Sequence, residues 1–248
     1  MQLDLPLLIF YVGFAAILIF RIPIAFGMLA TATVYMLAAG VDIGLVAEKV
    51  LTNLFSVFII IAVPLFVFTA KVMNTGKVTD MVFDFANGLV GRFQGGLGHV
   101  NVVASIIFSG MTGSAVADAS GLGLMEIEAM RKRGYDDGFS CAITAASATI
   151  GPIFPPSIPM IFYAMLSGAS IGALFMGGMI PGLLIGVALM IYIAIIAQKR
   201  NYPRGLDVTL RIFLMTSLKA LPALFTPVIL LGGIYSGVVT PTEAGALA

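Results

Sequence analysis

Charge is scarce in these 248 residues. Lys and Arg number 13, Asp and Glu 12, and only 10% of the chain is charged, where a soluble domain typically carries about 25%. Hydrophobic residues make up 60%. That leaves too little polar surface to cover a water-soluble protein of this size, so lipid is the natural solvent. A net charge of +1 gives no basic footprint for nucleic acid. A single cysteine, Cys141, excludes an intrachain disulfide, and with one histidine, His99, it rules out a Cys/His metal cluster by count. The start, Met1-Gln2-Leu3-Asp4, carries an acid where a cleavable signal would carry Lys or Arg. The first apolar run therefore reads as a retained span.

What the chain does have is long charge-free runs, at 5–20, 22–41, 50–70, 93–117, 138–198 and 220–242. A transmembrane helix needs about 20 apolar residues. Arg21 and Pro23 divide the stretch 5–41 into two short helices. The stretch 138–198 contains Gly151-Pro152-Ile153-Phe154-Pro155-Pro156-Ser157-Ile158-Pro159, through which no helix runs unbroken. We expect halves of one interrupted span within 138–168 and a separate span at 171–198. Residues 76–92 place Val78, Met81, Val82, Phe85, Leu89 and Val90 on one stripe, and 204–218 does something similar. Both read as interfacial connectors, with a span after the second (204–239). No Ser/Gly linker appears, which points to one membrane domain that is all-α and polytopic.

Basic residues give orientation. With the amino terminus outside, Arg21, Lys71, Lys77, Arg92, Arg131, Lys132, Arg133, Lys199, Arg200, Arg204, Arg211 and Lys219 all fall on the cytoplasmic side, leaving only Lys49 outside. This requires residues 93–130 to enter and leave on the same face, as a re-entrant hairpin. An ordinary span there would place Arg131-Lys132-Arg133 outside. At the chain's end, Thr240-Pro241-Thr242-Glu243 has the cap, N1 proline and N3 acid of a helix start. It opens a helix at 240–248 that would be marginal alone, which suggests truncation.

Two segments break membrane rules. One runs from Ser109 to Gly121, small, hydroxyl-rich and holding Asp118; the other is Gly151 to Pro159. Irregular backbone at membrane depth is tolerated only when buried in protein or lining a wet cavity, and unwound carbonyls there are how transporters coordinate cations. A hard cation such as Na⁺ wants several oxygens. The hydroxyls of Ser109, Thr112 and Ser114, with carbonyls around Gly151 and Phe154, offer them. The alternative is close packing through small residues plus a proline kink. Asp118 reads either as part of a site or as the cap of a hairpin helix. His99 reads as structural.

The order and spacing of several motifs resemble the large membrane subunit of tripartite ATP-independent periplasmic (TRAP) transporters. They are Val63-Pro64-Leu65-Phe66 with Met73-Asn74; Gly95-Gly96-Leu97 and Val100-Asn101-Val102-Val103-Ala104-Ser105; Ser109-Gly110 with Gly113-Ser114-Ala115-Val116-Ala117-Asp118-Ala119; Met130 to Tyr135; Ala145-Ala146-Ser147 with Ile150-Gly151-Pro152-Ile153 and Pro155-Pro156-Ser157-Ile158-Pro159; and Thr240 to Ala244. The resemblance implies one half of an inverted-repeat, elevator-type importer of organic acids. Its cofactors would be none, with Na⁺ as coupling ion. Its partners would be a periplasmic solute-binding protein, a small four-helix membrane subunit and membrane lipid, in a bacterial or archaeal inner membrane. The family's first sodium site falls on Ser109 and the hairpin tip (Thr112, Gly113, Ser114) with carbonyls of Gly151, Phe154 and Pro156. Asp118, Pro155 and Ser157 become substrate or hairpin candidates. The resemblance also implies a subunit about twice this long, so the chain alone is expected not to transport. Two other classes compete. A membrane enzyme would want a His or an acid pair near the interface, and a structural or assembly protein would not need two broken segments.

Overall fold

A computed structural model describes residues 5–56, 61–75, 78–205 and 209–247. The readings that used residues 1–4 and Lys77 lie outside this set. Within it the chain is all-α, and no named strand is present among the described residues; Gln94 and Arg204 form one isolated bridge. It divides into two compact units, 1–57 and 58–248.

In the first unit, α1 (Leu5–Ile19) and α2 (Ile24–Ala38) pack on each other, and α3 (Gly44–Ser56) follows. Arg21 takes φ 54 in the turn between the first two, and Pro23 precedes α2, as the break at Arg21 and Pro23 predicts. Only Ile17 and Gly27 are buried in these two helices. Leu5, Tyr11, Leu18, Phe20 and Phe26 are all exposed, an apolar surface that suits lipid.

The second unit runs α4 (Ala62–Thr75), α5 (Val78–Val90), α6 (Gly96–Thr112), α7 (Ala115–Ser120), α8 (Leu122–Lys132), α9 (Asp137–Ala148), α10 (Ile158–Ser167), α11 (Ile171–Lys199), α12 (Leu210–Tyr235) and α13 (Pro241–Leu247). The 29 residues of α11 span about 44 Å at 1.5 Å each, enough to cross ~30 Å of hydrocarbon with tilt. The 17 residues of α6 reach only about 25 Å. There the chain turns back, and α7 and α8 together return over as many residues as α6 used.

Both ends of this hairpin lie at one end of the unit. The Gly95 N–H donates to the Pro203 carbonyl and the Gln94 amide to Ala197. After α8, Tyr135 stacks on Tyr202 with ring centroids 4.5 Å apart, and Arg200 bonds Asp136. The loops at 131–137 and 199–204 therefore sit side by side, the arrangement the distribution of basic residues requires.

Two expectations are corrected. Residues 204–218 and 220–239 are not a connector followed by a span: from Leu210 to Tyr235 they form one helix. Arg211 and Lys219 lie within it without ending it. Its first half packs on α5, where Phe213 stacks on Phe85 at 6.0 Å and crosses close to Gly88. The amphipathic segment before the hairpin is α5, whose buried face is Val82, Ala86 and Val90, with Leu89 exposed. The second correction concerns 109–121. The helix continues through Thr112, and the irregular backbone is confined to Gly113–Ser114, with a sharp turn at Gly121. Ser109 donates its hydroxyl to the Ser105 carbonyl at 2.6 Å, a back-bond that keeps a hydroxyl residue inside a helix.

The helix start at Thr240 is a reciprocal cap. The Thr240 N–H donates to the Glu243 carboxylate at 2.7 Å, and the Glu243 N–H returns to the Thr240 hydroxyl at 3.3 Å.

Candidate functional site

The site is built where the hairpin tip meets the interruption between α9 and α10. Residues 149–157 carry no helix; the Pro155–Pro156 peptide is cis, and Gly151, Pro155, Pro156 and Ser157 are buried. Gly113 takes φ +60, and a Cβ there would run into the Pro156 carbonyl oxygen. Its own carbonyl accepts from the Ile158 N–H at 3.3 Å. Gly151 faces the other side of the tip: a Cβ would sit 3.1 Å from the Ser114 carbonyl carbon. Phe154 lies against Gly182 of α11, where a Cβ would come within 3.0 Å of its side chain. The two interrupted segments thus face each other, and small residues permit the approach.

The sequence candidates fall around this junction. Ser109 is fully buried and, having donated its proton to Ser105, keeps its lone pairs free. Thr112 is fully buried, and its hydroxyl makes no hydrogen bond among the described residues. Ser114 caps α7, accepting from Ala117 at 3.3 Å. Ser157 caps α10, accepting from Met160 at 3.3 Å, and donates to the Pro152 carbonyl at 2.5 Å. Among the described residues, the carbonyls of Gly151, Phe154 and Pro156 take no part in the backbone–backbone hydrogen bonds of the turns and loops. Of the three residues, Gly151 and Pro156 lie directly against the tip, beside Ser114 and Gly113, and Phe154 packs its side chain toward Gly110 and Gly182. Asp118, 1% exposed, does not cap the hairpin helix. It lies inside α7 with the Ser105 hydroxyl toward it, and neither of its oxygens meets hydrogen-bond geometry.

Sequence reasoning missed what lies beneath the tip. Asn101, Ser105, Ser109 and Thr112 recur at helical spacing on α6, all at most 1% exposed. The first two meet Thr144 and Ser147 on α9, and Asn101 also meets Glu126 on α8. The Asn101 amide donates to Glu126 at 2.6 Å and to Thr144 at 2.7 Å. Ser147 donates to the Asn101 amide oxygen at 2.6 Å, and Ser105 to Ser147 at 3.1 Å. Glu126 is as buried as Asp118, and its second oxygen is unpartnered among the described residues. Asp118 is therefore not a solitary intramembrane acid. Glu126 was legible: Leu122, Glu126 and Met130 are four apart, so the acid sits in the buried stripe of α8.

A wholly helical membrane unit with a tip-to-tip hairpin and interrupted helix is the build of a secondary transporter's membrane subunit. The family model for the DctM component of the tripartite ATP-independent periplasmic transporter matches residues 11–248, and the chain belongs to that family. It is 44% identical over 236 residues to the sialic acid TRAP transporter large permease protein SiaM of Vibrio cholerae, covering 95% of this chain and 55% of that protein. It is 48% identical over 201 residues to the sialic acid TRAP transporter permease protein SiaT of Haemophilus influenzae, covering 81% and 32%. With the C4-dicarboxylate TRAP transporter large permease protein DctM of Pseudomonas aeruginosa it shares 41% over 191 residues, covering 77% and 45%. The chain thus spans roughly a third to just over half of these relatives. Each is named as a transporter permease.

Proposed function

We propose that this chain supplies the first hairpin and first sodium site of a sodium-coupled importer of organic acids. It would cross the cytoplasmic (inner) membrane several times, with the loops at 131–137 and 199–204 inside. A periplasmic solute-binding protein would deliver the substrate, and a small four-helix membrane subunit would accompany the permease. The observation that carries the reading is the non-helical turn of Gly151 to Pro156, whose carbonyls at Gly151, Phe154 and Pro156 take no part in the backbone hydrogen bonds among the described residues, packed against a tip whose buried Ser109 donates its only proton to Ser105. A hard cation satisfies such oxygens at once. Na⁺ then joins the hairpin tip to the broken helix, so that both move as one body. Thr112, Gly113 and Ser114 shape the tip, and Pro155 and Ser157 hold the facing turn. The relatives named for sialic acid and C4-dicarboxylate support an organic acid as cargo.

The test is sodium-dependent uptake by the reconstituted full-length permease with its partners. Losing one charge-assisted contact costs about 1.5–3 kcal/mol. Ser109→Ala is therefore expected to raise the half-saturating sodium concentration roughly ten- to a hundredfold while membrane expression holds. An unchanged half-saturation at normal expression returns Ser109 to a packing role.

A further inference from the structure

A groove of about 380 Å³ lies between α9 and α11 and starts at the paired loops of 131–137 and 199–204. Phe139, Ile143 and Ala146 line it from α9, Leu189 and Tyr192 from α11, and Arg200 closes its loop end. From Asp136 to Ala146 it covers about 15 Å at 1.5 Å per residue, one leaflet's share of ~30 Å of hydrocarbon. The two loops carry Arg131, Lys132, Arg133, Lys199, Arg200 and Arg204 against Asp136 and Asp137, a strong positive surplus on a chain whose net charge is +1. Arg131, Lys132 and Arg200 pair with Asp137, Glu128 and Asp136. Arg133, Lys199 and Arg204 are exposed and have no ion pair among the described residues. Arg200 bonds Asp136 and Tyr202 through Nη1 alone, which leaves Nε and Nη2 as open donors on a side chain 51% exposed.

An apolar groove one leaflet deep, with cations at its surface end and an aromatic ring on its wall, matches one partner. We propose that the groove between α9 and α11 binds an anionic phospholipid, its phosphate on Arg200 and Lys199 and one acyl chain along Ile143, Ala146 and Leu189. The proposal rests on the reading that the chain crosses the membrane with these loops inside, and it is independent of sodium and of cargo. Arg forks suit phosphate, and basic pockets between helices on the cytoplasmic side take anionic head groups. Arg133 and Arg204 add to the field without touching the groove's lining. A zwitterionic lipid brings its own cation and gains little from that field. A free phosphate leaves the apolar walls uncovered.

The test is thermal unfolding of the purified full-length permease in mixed micelles. Phosphatidylglycerol should raise Tm, whereas phosphatidylcholine and soluble glycerol 3-phosphate should not. Lys199→Gln should weaken half-stabilisation by phosphatidylglycerol about fivefold, and Lys199→Gln with Arg133→Gln about thirtyfold. Lys199→Arg should hold the wild-type value. Ala142, exposed on the groove wall, tests the apolar half: Ala142→Phe fills the groove without touching a charge and should weaken the lipid about tenfold or more. Equal shifts from both phospholipids, or a double variant that responds like the wild type, overturn the site. A shift reproduced by glycerol 3-phosphate, or one that Ala142→Phe leaves intact, shows a free-anion patch and overturns the lipid. Thiol labelling of Arg133→Cys in a Cys141→Ser background, in intact cells, separates this from the orientation it rests on. A phosphatidylglycerol shift with labelling from outside upholds the groove and sinks the orientation. No shift, with Arg133→Cys protected from outside, sinks the groove alone.

Discussion

At the end of the second unit, Asp136 and Arg200 are about half open to solvent and bonded to each other and to the hydroxyl of the buried Tyr202, and Arg131 pairs with Asp137. Inside the hairpin, Asp118 and Glu126 are 1% exposed and have no ion pair among the described residues. The same side-chain types meet opposite treatment. Exposed charges are matched, because matching is cheap at a surface and contributes little. Buried ones are left short of partners, which folding alone does not favour. Among the described residues, the buried acids left short of partners, Asp118 and Glu126, both lie in the hairpin, while Thr79 and Ser217 are unpartnered hydroxyls outside it.

The sharpest way to break this comparison is to remove the hub of the interior network. Asn101→Leu leaves Glu126, Thr144 and Ser147 without the amide they bond. Each unsatisfied buried group costs about 1–3 kcal/mol, so a loss of about 3 kcal/mol or more is expected, read as collapse of the folded fraction in detergent. A near-wild-type melting curve would mean that the interior is wet and that the contrast with the exposed end is false.

The second test is smaller and concerns the tip. Gly113→Ala must hold a left-handed φ, which costs about 1–2 kcal/mol, and must also displace the Pro156 backbone. Gly134 is the internal control. Its φ is +82, but nothing lies within 4 Å of where a Cβ would stand, so Gly134→Ala carries the conformational cost alone. Gly113→Ala should melt lower than Gly134→Ala. Equal losses would show that the tip and the broken helix do not press on each other.

How much of this was legible follows from what each signal measures. Gly151 to Pro159 announced itself, because proline removes donors and blocks the helix whatever surrounds it. The hairpin followed from the distribution of basic residues, since its ends carry Arg92 and Arg131. The limits of the tip did not follow. Ser109 to Thr112 has the composition of a loop, yet the Ser109 hydroxyl is satisfied within the helix by Ser105, and Gly110 and Met111 are buried, with Gly110 close to Pro227 of α12 and Met111 in the core cluster that includes residues of α5 and α12. Cutting the chain at charges hid Glu126, which a helical-stripe reading of α8 exposes. The same habit divided α12 at Arg211 and Lys219, where packing on α5 carries the helix through.

The smallest effect belongs to the exposed end, and its sign is fixed. The Tyr202 hydroxyl, the Phe139 N–H and the Arg200 guanidinium all bond the Asp136 carboxylate and hold its pKa down at about 2, against an ordinary 3.8. A group depressed on folding binds fewer protons folded than unfolded in that window. Its stabilisation is therefore full above 3.8 and is lost as pH falls through about 2. Asp136→Asn should melt below the wild type at neutral pH by a modest margin, because the carboxylate is half exposed and solvent screens it. That margin should close as pH falls from 3.8 toward 2, and at neutral pH it should shrink with added salt. Tyr202→Phe should close part of the same margin, since it removes the first of the three donors but leaves the charge on Arg200. A margin that stays constant down to pH 2, or widens on acidification, would show that Asp136 acts through packing at the start of α9. The exposed end would then be built like the interior, and the contrast between the two would rest on burial alone.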